Sequence, residues 1–71
     1  MDTKEIEAWA TKNKEDAKTL GLRLIEFRKD PDGLRKQPSL GEFQDSVQEW
    51  AIDNQRKATM LLFKLMKVVT S

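Results

Sequence analysis

The sequence predicts an all-α protein, an antiparallel two-helix hairpin that dimerises into a four-helix bundle. In two long segments, apolar residues recur at steps of three and four, as they do on one face of an α-helix. A strong turn sequence, Asp30-Pro31-Asp32-Gly33, separates the segments. The segments also resemble each other. We therefore expect residues 1–71 to form a single helical-hairpin domain.

The resemblance is an internal repeat with a period of 41 residues, in which residues 6–28 recur as residues 47–69. Average composition predicts about one or two identities over such a length, and this alignment has six. Two explanations are open at this point: a duplication, or two helices that face one core and select the same residue types. The identical pairs fall on one side of a helix and are Trp9/Trp50, Ala10/Ala51, Asn13/Asn54, Ala17/Ala58, Leu20/Leu61 and Leu24/Leu65.

The first helix is predicted over about residues 3–29. Asp2 is a suitable N-cap residue, and Glu5 stands three residues later, as in a capping box. The turn at Asp30 ends the helix, since proline fixes its own φ and aspartates bond nearby backbone groups. Residues 30–38 are predicted to be a loop, because the residue before Pro38 is disfavoured in helical geometry.

The second helix is predicted over about residues 39–69. Ser39 followed by Glu42 has the spacing of a capping box, and Pro38 against Phe43 would form the accompanying hydrophobic staple. The loop of about nine residues between two long helices favours an antiparallel arrangement. A continuous helix over either range would be about 40 to 47 Å long.

The repeat also predicts how the two helices pair. If Asn13 lies opposite Asn54, then Ala10 faces Ala58 and Ala17 faces Ala51, so that the helix axes approach closely. The two asparagines have two interpretations. Their amides either fix the register as a buried pair, or they lie in a waist that is open enough for water to satisfy them.

Composition excludes several functional classes. The chain has no cysteine and no histidine, which removes disulfides, ordinary zinc sites and the Ser-His and Cys-His catalytic arrangements. We predict a protein that is not an enzyme and has no cofactor or metal. Its formal net charge of +1 gives no global field that recruits nucleic acid or anionic lipid. Without a signal-like or membrane-spanning segment, the expected location is cytoplasmic.

A surplus of apolar residues predicts an interface. One hairpin buries one stripe of each helix, yet a second set of apolar residues points roughly away from that stripe. We expect this set to be covered by a second copy in a homodimer, or by a different protein that the chain serves as an adaptor or inhibitor. The predicted interface residues are Leu22, Ile25, Ile52, Phe63 and Met66.

The alternative function is that of a nucleic-acid-binding regulator. Asp30 and Asp32 lie within the basic cluster that carries this hypothesis, and no aromatic residue interleaves with it. A third alternative is membrane-surface binding by the end of the second helix through Lys64 and Lys67. Helices that bind membrane surfaces usually carry more basic residues than this one. The basic residues of the regulator hypothesis, at the predicted hairpin tip, are Arg28, Lys29, Arg35 and Lys36.

Overall fold

The computed structural model describes residues 2–34 and 36–70, and these residues are helical or irregular, without a β-strand. The all-α prediction is confirmed. The described residues form four packed helices and one short helical turn where two long helices were predicted. The helices are α1 (Thr3–Lys12), α2 (Lys14–Lys29), α3 (Pro31–Leu34), α4 (Glu42–Asp53) and α5 (Gln55–Thr70).

Both long helices are interrupted at the asparagine of the repeat. Asn13 has φ −132° and ψ 57°, and Asn54 has φ −135° and ψ 58°. Each side-chain Nδ2 donates a hydrogen bond of 2.9 Å to the backbone carbonyl of the tryptophan four residues earlier, Trp9 or Trp50. Asparagine suits this role because its short amide competes with the backbone for helical hydrogen bonds. The asparagines therefore form corners between helices.

The corners allow the core to close within one chain. Helices α2 and α5 pack on each other, α1 packs on α5, and α4 packs on α2. The chain measures 31 × 23 × 20 Å, shorter than either straight helix of about 40 to 47 Å would be. The sequence pattern missed this, because helical periodicity passes through a single non-helical residue almost unchanged.

The core repeats with the same period as the sequence. Its side chains are at most 7% exposed and form one cluster. Four alanines belong to it, Ala10, Ala17, Ala51 and Ala58. The positions that are buried in both halves are Ile6/Val47, Ala10/Ala51, Ala17/Ala58, Leu20/Leu61, Gly21/Leu62 and Leu24/Leu65. The repeat is therefore a repeat of core positions.

Gly21 of α2 lies close to Leu62 of α5, its counterpart in the repeat. A Cβ atom on Gly21 would lie 3.8 Å from Leu62 Cδ1 and would overlap the terminal methyl of Met66. The missing side chain of Gly21 therefore leaves room in α2 for the end of the Met66 side chain, with Leu62 in ordinary contact beside it.

The two halves begin differently. In the first, Asp2 caps α1 as predicted, accepting a hydrogen bond from Lys4 N at 2.9 Å. In the second, the predicted capping box of Ser39 and Glu42 is wrong, because α4 begins at Glu42 with Gly41 as its N-cap residue. Gly41 has φ 130°, a backbone conformation that residues other than glycine rarely adopt.

The loop before α4 is held by other bonds. Asp45 accepts a hydrogen bond from the Ser39 hydroxyl and one of 3.1 Å from Leu40 N. At the predicted turn after α2, Asp30 accepts a bond of 3.0 Å from Gly33 N, and residues 31–34 form the short α3. Residues 36–38 are irregular, as predicted for the loop, whereas the helical residues 31–34 and the irregular residues 39–41 differ from the predicted bounds.

Candidate functional site

Three of the five predicted interface residues are exposed. Leu22 is 53% exposed, Phe63 66% and Ile25 37%. Leu22 and Phe63 are counterparts in the repeat, so the exposed side chains stand on both α2 and α5. Large apolar side chains exposed at corresponding positions of two packed helices are typical of an interaction surface.

The exposed side chains lie on α2 and α5, two helices that pack on each other. Ile25 lies one turn after both Gly21 and Leu22, and Phe63 lies one turn before Met66 on α5. Met66 reaches over α2 to Gly21 and joins the two sides. We call Leu22, Ile25, Phe63 and Met66 the apolar face.

The other two predicted interface residues are more covered than the sequence indicates. Met66 and Ile52 are partly buried and pack against the core of their own chain. The cause is the helix corners, since a chain of four helices covers surfaces that a straight hairpin leaves open. Met60, 64% exposed, was not among the predicted residues. The sequence feature that indicates its exposure is its position one helical turn before Phe63.

The basic cluster is only partly described. Arg28, Lys29 and Lys36 are exposed, and Arg35 lies outside the described residues. Arg28 lines a pocket of about 280 Å³ together with Arg56 at the start of α5. Sequence reasoning missed Arg56, because it is distant in the chain and approaches Arg28 only through the packing of α2 on α5.

A second polar site joins the loop to the helices. Arg23 Nη1 donates a hydrogen bond of 3.2 Å to the Pro38 carbonyl and lines a pocket of about 210 Å³ with Asp45. The hydrogen bond from Ser39, followed by that from Leu40 N and by the charge of Arg23, lowers the pKa of Asp45, although partial desolvation opposes the shift. Because both charged groups bond the loop, the site fastens residues 38–40 to α2 and α4.

Within residues 2–34 and 36–70, no three acidic side chains are grouped so that they could hold a metal ion. None of the helices in those ranges is long and apolar enough to cross a membrane. Comparison of the chain with models of protein families, with curated proteins and with solved structures found no significant match.

Proposed function

We propose that this chain is a non-enzymatic protein–protein interaction module, an adaptor or an inhibitor, that binds through the apolar face. The observation that carries the proposal is the exposure of Phe63 and Leu22 on two packed helices. Each large apolar side chain that is buried contributes about 1.5–3 kcal/mol. The absence of histidine and cysteine from the sequence supports a binding role over a catalytic one.

The proposed first occupant of the apolar face is a second copy of the chain. The chain already has a core of its own, so dimerisation would serve to cover the apolar face rather than to complete the fold. A stable interface buries about 800 Å² on each partner, against a total accessible surface of 4865 Å² for the chain.

Sedimentation equilibrium at micromolar concentration tests self-association. The wild-type chain is expected to have twice the monomer mass, and the Phe63→Asp and Leu22→Asp variants the monomer mass with unchanged helicity. Thr11→Asp adds the same charge to an exposed position of α1 and should remain dimeric. A wild-type monomer with full helicity would overturn the dimer.

Binding of a different protein is tested by affinity capture from the native host. If the dimer is overturned, a specific partner should be captured by the wild-type chain and by Thr11→Asp but not by Phe63→Asp. Equal capture by all three chains would contradict a role for the apolar face.

The second candidate function is nucleic-acid binding through the basic end of α2. The observation that favours it is that Arg28 and Arg56, from two helices, line one pocket whose lining includes no carboxylate. Paired guanidinium groups suit the oxygens of a phosphate. The capping role of Asp30 and the exposed Asp32 count against it, because they place negative charge nearby.

Fluorescence anisotropy with a labelled RNA hairpin and a labelled DNA duplex tests this second candidate. Arg28→Glu combined with Arg56→Glu should abolish binding, whereas Lys12→Glu on α1 should not. Loss of affinity with added salt should follow the number of phosphate contacts. Equal weak binding by both variants would show general charge attraction and remove the candidate.

A further inference from the structure

A pocket beside Trp50 lies away from the α2–α5 crossing. It has a volume of about 310 Å³, at the lower end of the range for ligand pockets. Its lining combines apolar surface with two basic side chains. The lining residues include Trp50 of α4, Lys57, Met60, Leu61 and Lys64 of α5, and Asp2 just before α1.

In the other half of the molecule, an aromatic ring lies beside the corresponding tryptophan. Trp9, the counterpart of Trp50, contacts the ring of Phe43, with centroids 5.0 Å apart and planes at 41°. The counterpart of Phe43 in the first half is Asp2, 41 residues earlier in the chain. Asp2 lines the pocket and uses its carboxylate to cap α1. The pocket thus occupies the position that an aromatic ring fills beside Trp9.

Of the two lysines at the mouth, Lys57 is the one that favours a carboxylate on the ligand. Lys57 and Lys64 are exposed and lie two turns apart on α5, about 10 Å along its axis. Lys64 Nζ lies 3.8 Å from a Glu7 carboxylate oxygen, and Asp2 adds a second negative group on the α1 side. Lys57, further along the rim, is placed to pair with a carboxylate that flanks the bound ring.

We infer that the pocket beside Trp50 binds an aromatic side chain from an acidic segment of a partner protein. The ring would contact Trp50 with the tilted geometry that Phe43 adopts on Trp9, and a neighbouring carboxylate would pair with Lys57. Offset or tilted aromatic pairs of this kind are favourable beyond the area that they bury. The inference concerns a second site and does not depend on self-association through the apolar face.

The chain itself provides a probe of matching chemistry. A blocked peptide with the sequence of residues 39–46, SLGEFQDS, carries one phenylalanine and two carboxylates. Titration of this peptide into the labelled full chain is followed by the NMR signals of the two indole N–H groups, which Trp50→Phe assigns. We expect the Trp50 signal to shift with half-saturation at or below about 1 mM, while the Trp9 signal stays in place.

Two altered peptides separate the ring from the charges. A version with Ala in place of Phe should bind about tenfold more weakly, because it lacks the buried ring. A version with Gln and Asn in place of Glu and Asp should bind about fivefold more weakly, because it lacks the pairing with Lys57. Equal binding of the original and the alanine version would overturn the inference.

Variants of the protein test the pocket directly. Asp2→Phe places an aromatic ring at the counterpart of Phe43 and should abolish the Trp50 shift, whereas Asp2→Asn keeps a good capping residue and should not weaken binding. Lys57→Glu should weaken binding about fivefold, and Lys18→Glu, exposed on α2, should leave it unchanged. If the Trp50 signal does not move, or if Asp2→Phe and Lys57→Glu bind like the wild type, the pocket does not take an acidic aromatic segment.

Discussion

The two halves of the molecule share their core and differ at their surface. The buried positions carry identical or similar residues in both halves, and each half turns the same corner at an asparagine. The first turn of α2 contains Glu15 and Asp16, whereas the first turn of α5 contains no acidic residue. Packing therefore accounts for what the halves share, and their differences mark where to look for function.

The differences fall on the sites described above. Phe43 covers Trp9, whereas Asp2 leaves a pocket beside Trp50. At the start of α5, Arg56 contributes positive charge where a helix N-terminus favours negative charge, and it shares a pocket with Arg28. A half that was selected only for stability would have less reason to carry an open pocket and a basic first turn.

The largest expected effect comes from removing the difference between the counterparts Gly21 and Leu62, where α2 packs on α5. Gly21→Leu places a second large side chain against Leu62 and Met66 and should cost about 1–3 kcal/mol of unfolding free energy, measured by urea denaturation. The combined variant Gly21→Leu with Leu62→Gly exchanges the two counterparts. It should recover part of the loss of the single variants, because neighbouring substitutions are coupled.

Two reference variants accompany this test. Gly21→Ala should be neutral or stabilising, because only the flexible end of Met66 must move. Alanine also has a helix propensity about 0.8–1 kcal/mol more favourable than that of glycine. Lys18→Leu, on the exposed side of α2, should change stability by less than about 0.5 kcal/mol. If Gly21→Leu is as stable as Gly21→Ala, α2 and α5 do not cross closely at this residue.

A smaller effect tests what the halves share. Asn13→Ala and Asn54→Ala each remove one amide hydrogen bond to a tryptophan carbonyl, which contributes about 0.5–1.5 kcal/mol. Because the two corners have nearly identical dihedral angles, the two losses measured by thermal unfolding should agree closely.

Thr11→Ala is the matched control for the corners. It also removes a side-chain bond to a carbonyl four residues earlier, that of Glu7, but within a continuous helix. We expect a change below about 0.5 kcal/mol, since alanine has the higher helix propensity. An increase in stability on Asn13→Ala would show that the amide does not hold the corner.

The sequence predicted the helical class and the core positions because burial imposes a regular spacing. It did not predict the corners, since Asn13 and Asn54 keep the apolar spacing intact and a polar residue in the stripe also suits a buried pair. It also placed the start of the second helix at Ser39. A serine followed by a glutamate three residues later has the same spacing whether the hydroxyl caps the helix or bonds Asp45.

The candidate sites were less predictable than the fold. Leu22 and Phe63 could be identified from their position on the helix, because exposure follows the same periodicity as burial. Ile52 and Met66 could not, since their coverage depends on helices brought together by the corners. The pocket beside Trp50 results from an aspartate before α1 and side chains of α4 and α5, a combination that no local pattern records.

The smallest expected effect concerns the segments that precede the first helix of each half, α1 and α4. Asp45 holds the loop before α4, and its pKa in the folded chain lies below the ordinary value of 3.8. A lowered folded pKa means that ionised Asp45 stabilises the fold above the pKa of the unfolded chain. This contribution is lost as the pH falls below 3.8 and through the folded pKa.

Asp45→Asn should therefore lower the thermal midpoint at about pH 7, and the difference from the wild type should shrink at about pH 2.5. Asparagine has the same size as aspartate. It lacks the negative charge that strengthens the hydrogen bonds from the Ser39 hydroxyl and the Leu40 N–H. Glu26→Gln removes a carboxylate from the exposed side of α2 and should show a smaller difference at neutral pH. A difference between Asp45→Asn and the wild type that is equal at both pH values would mean that the loop is held by the shape of the side chain, independent of its ionisation.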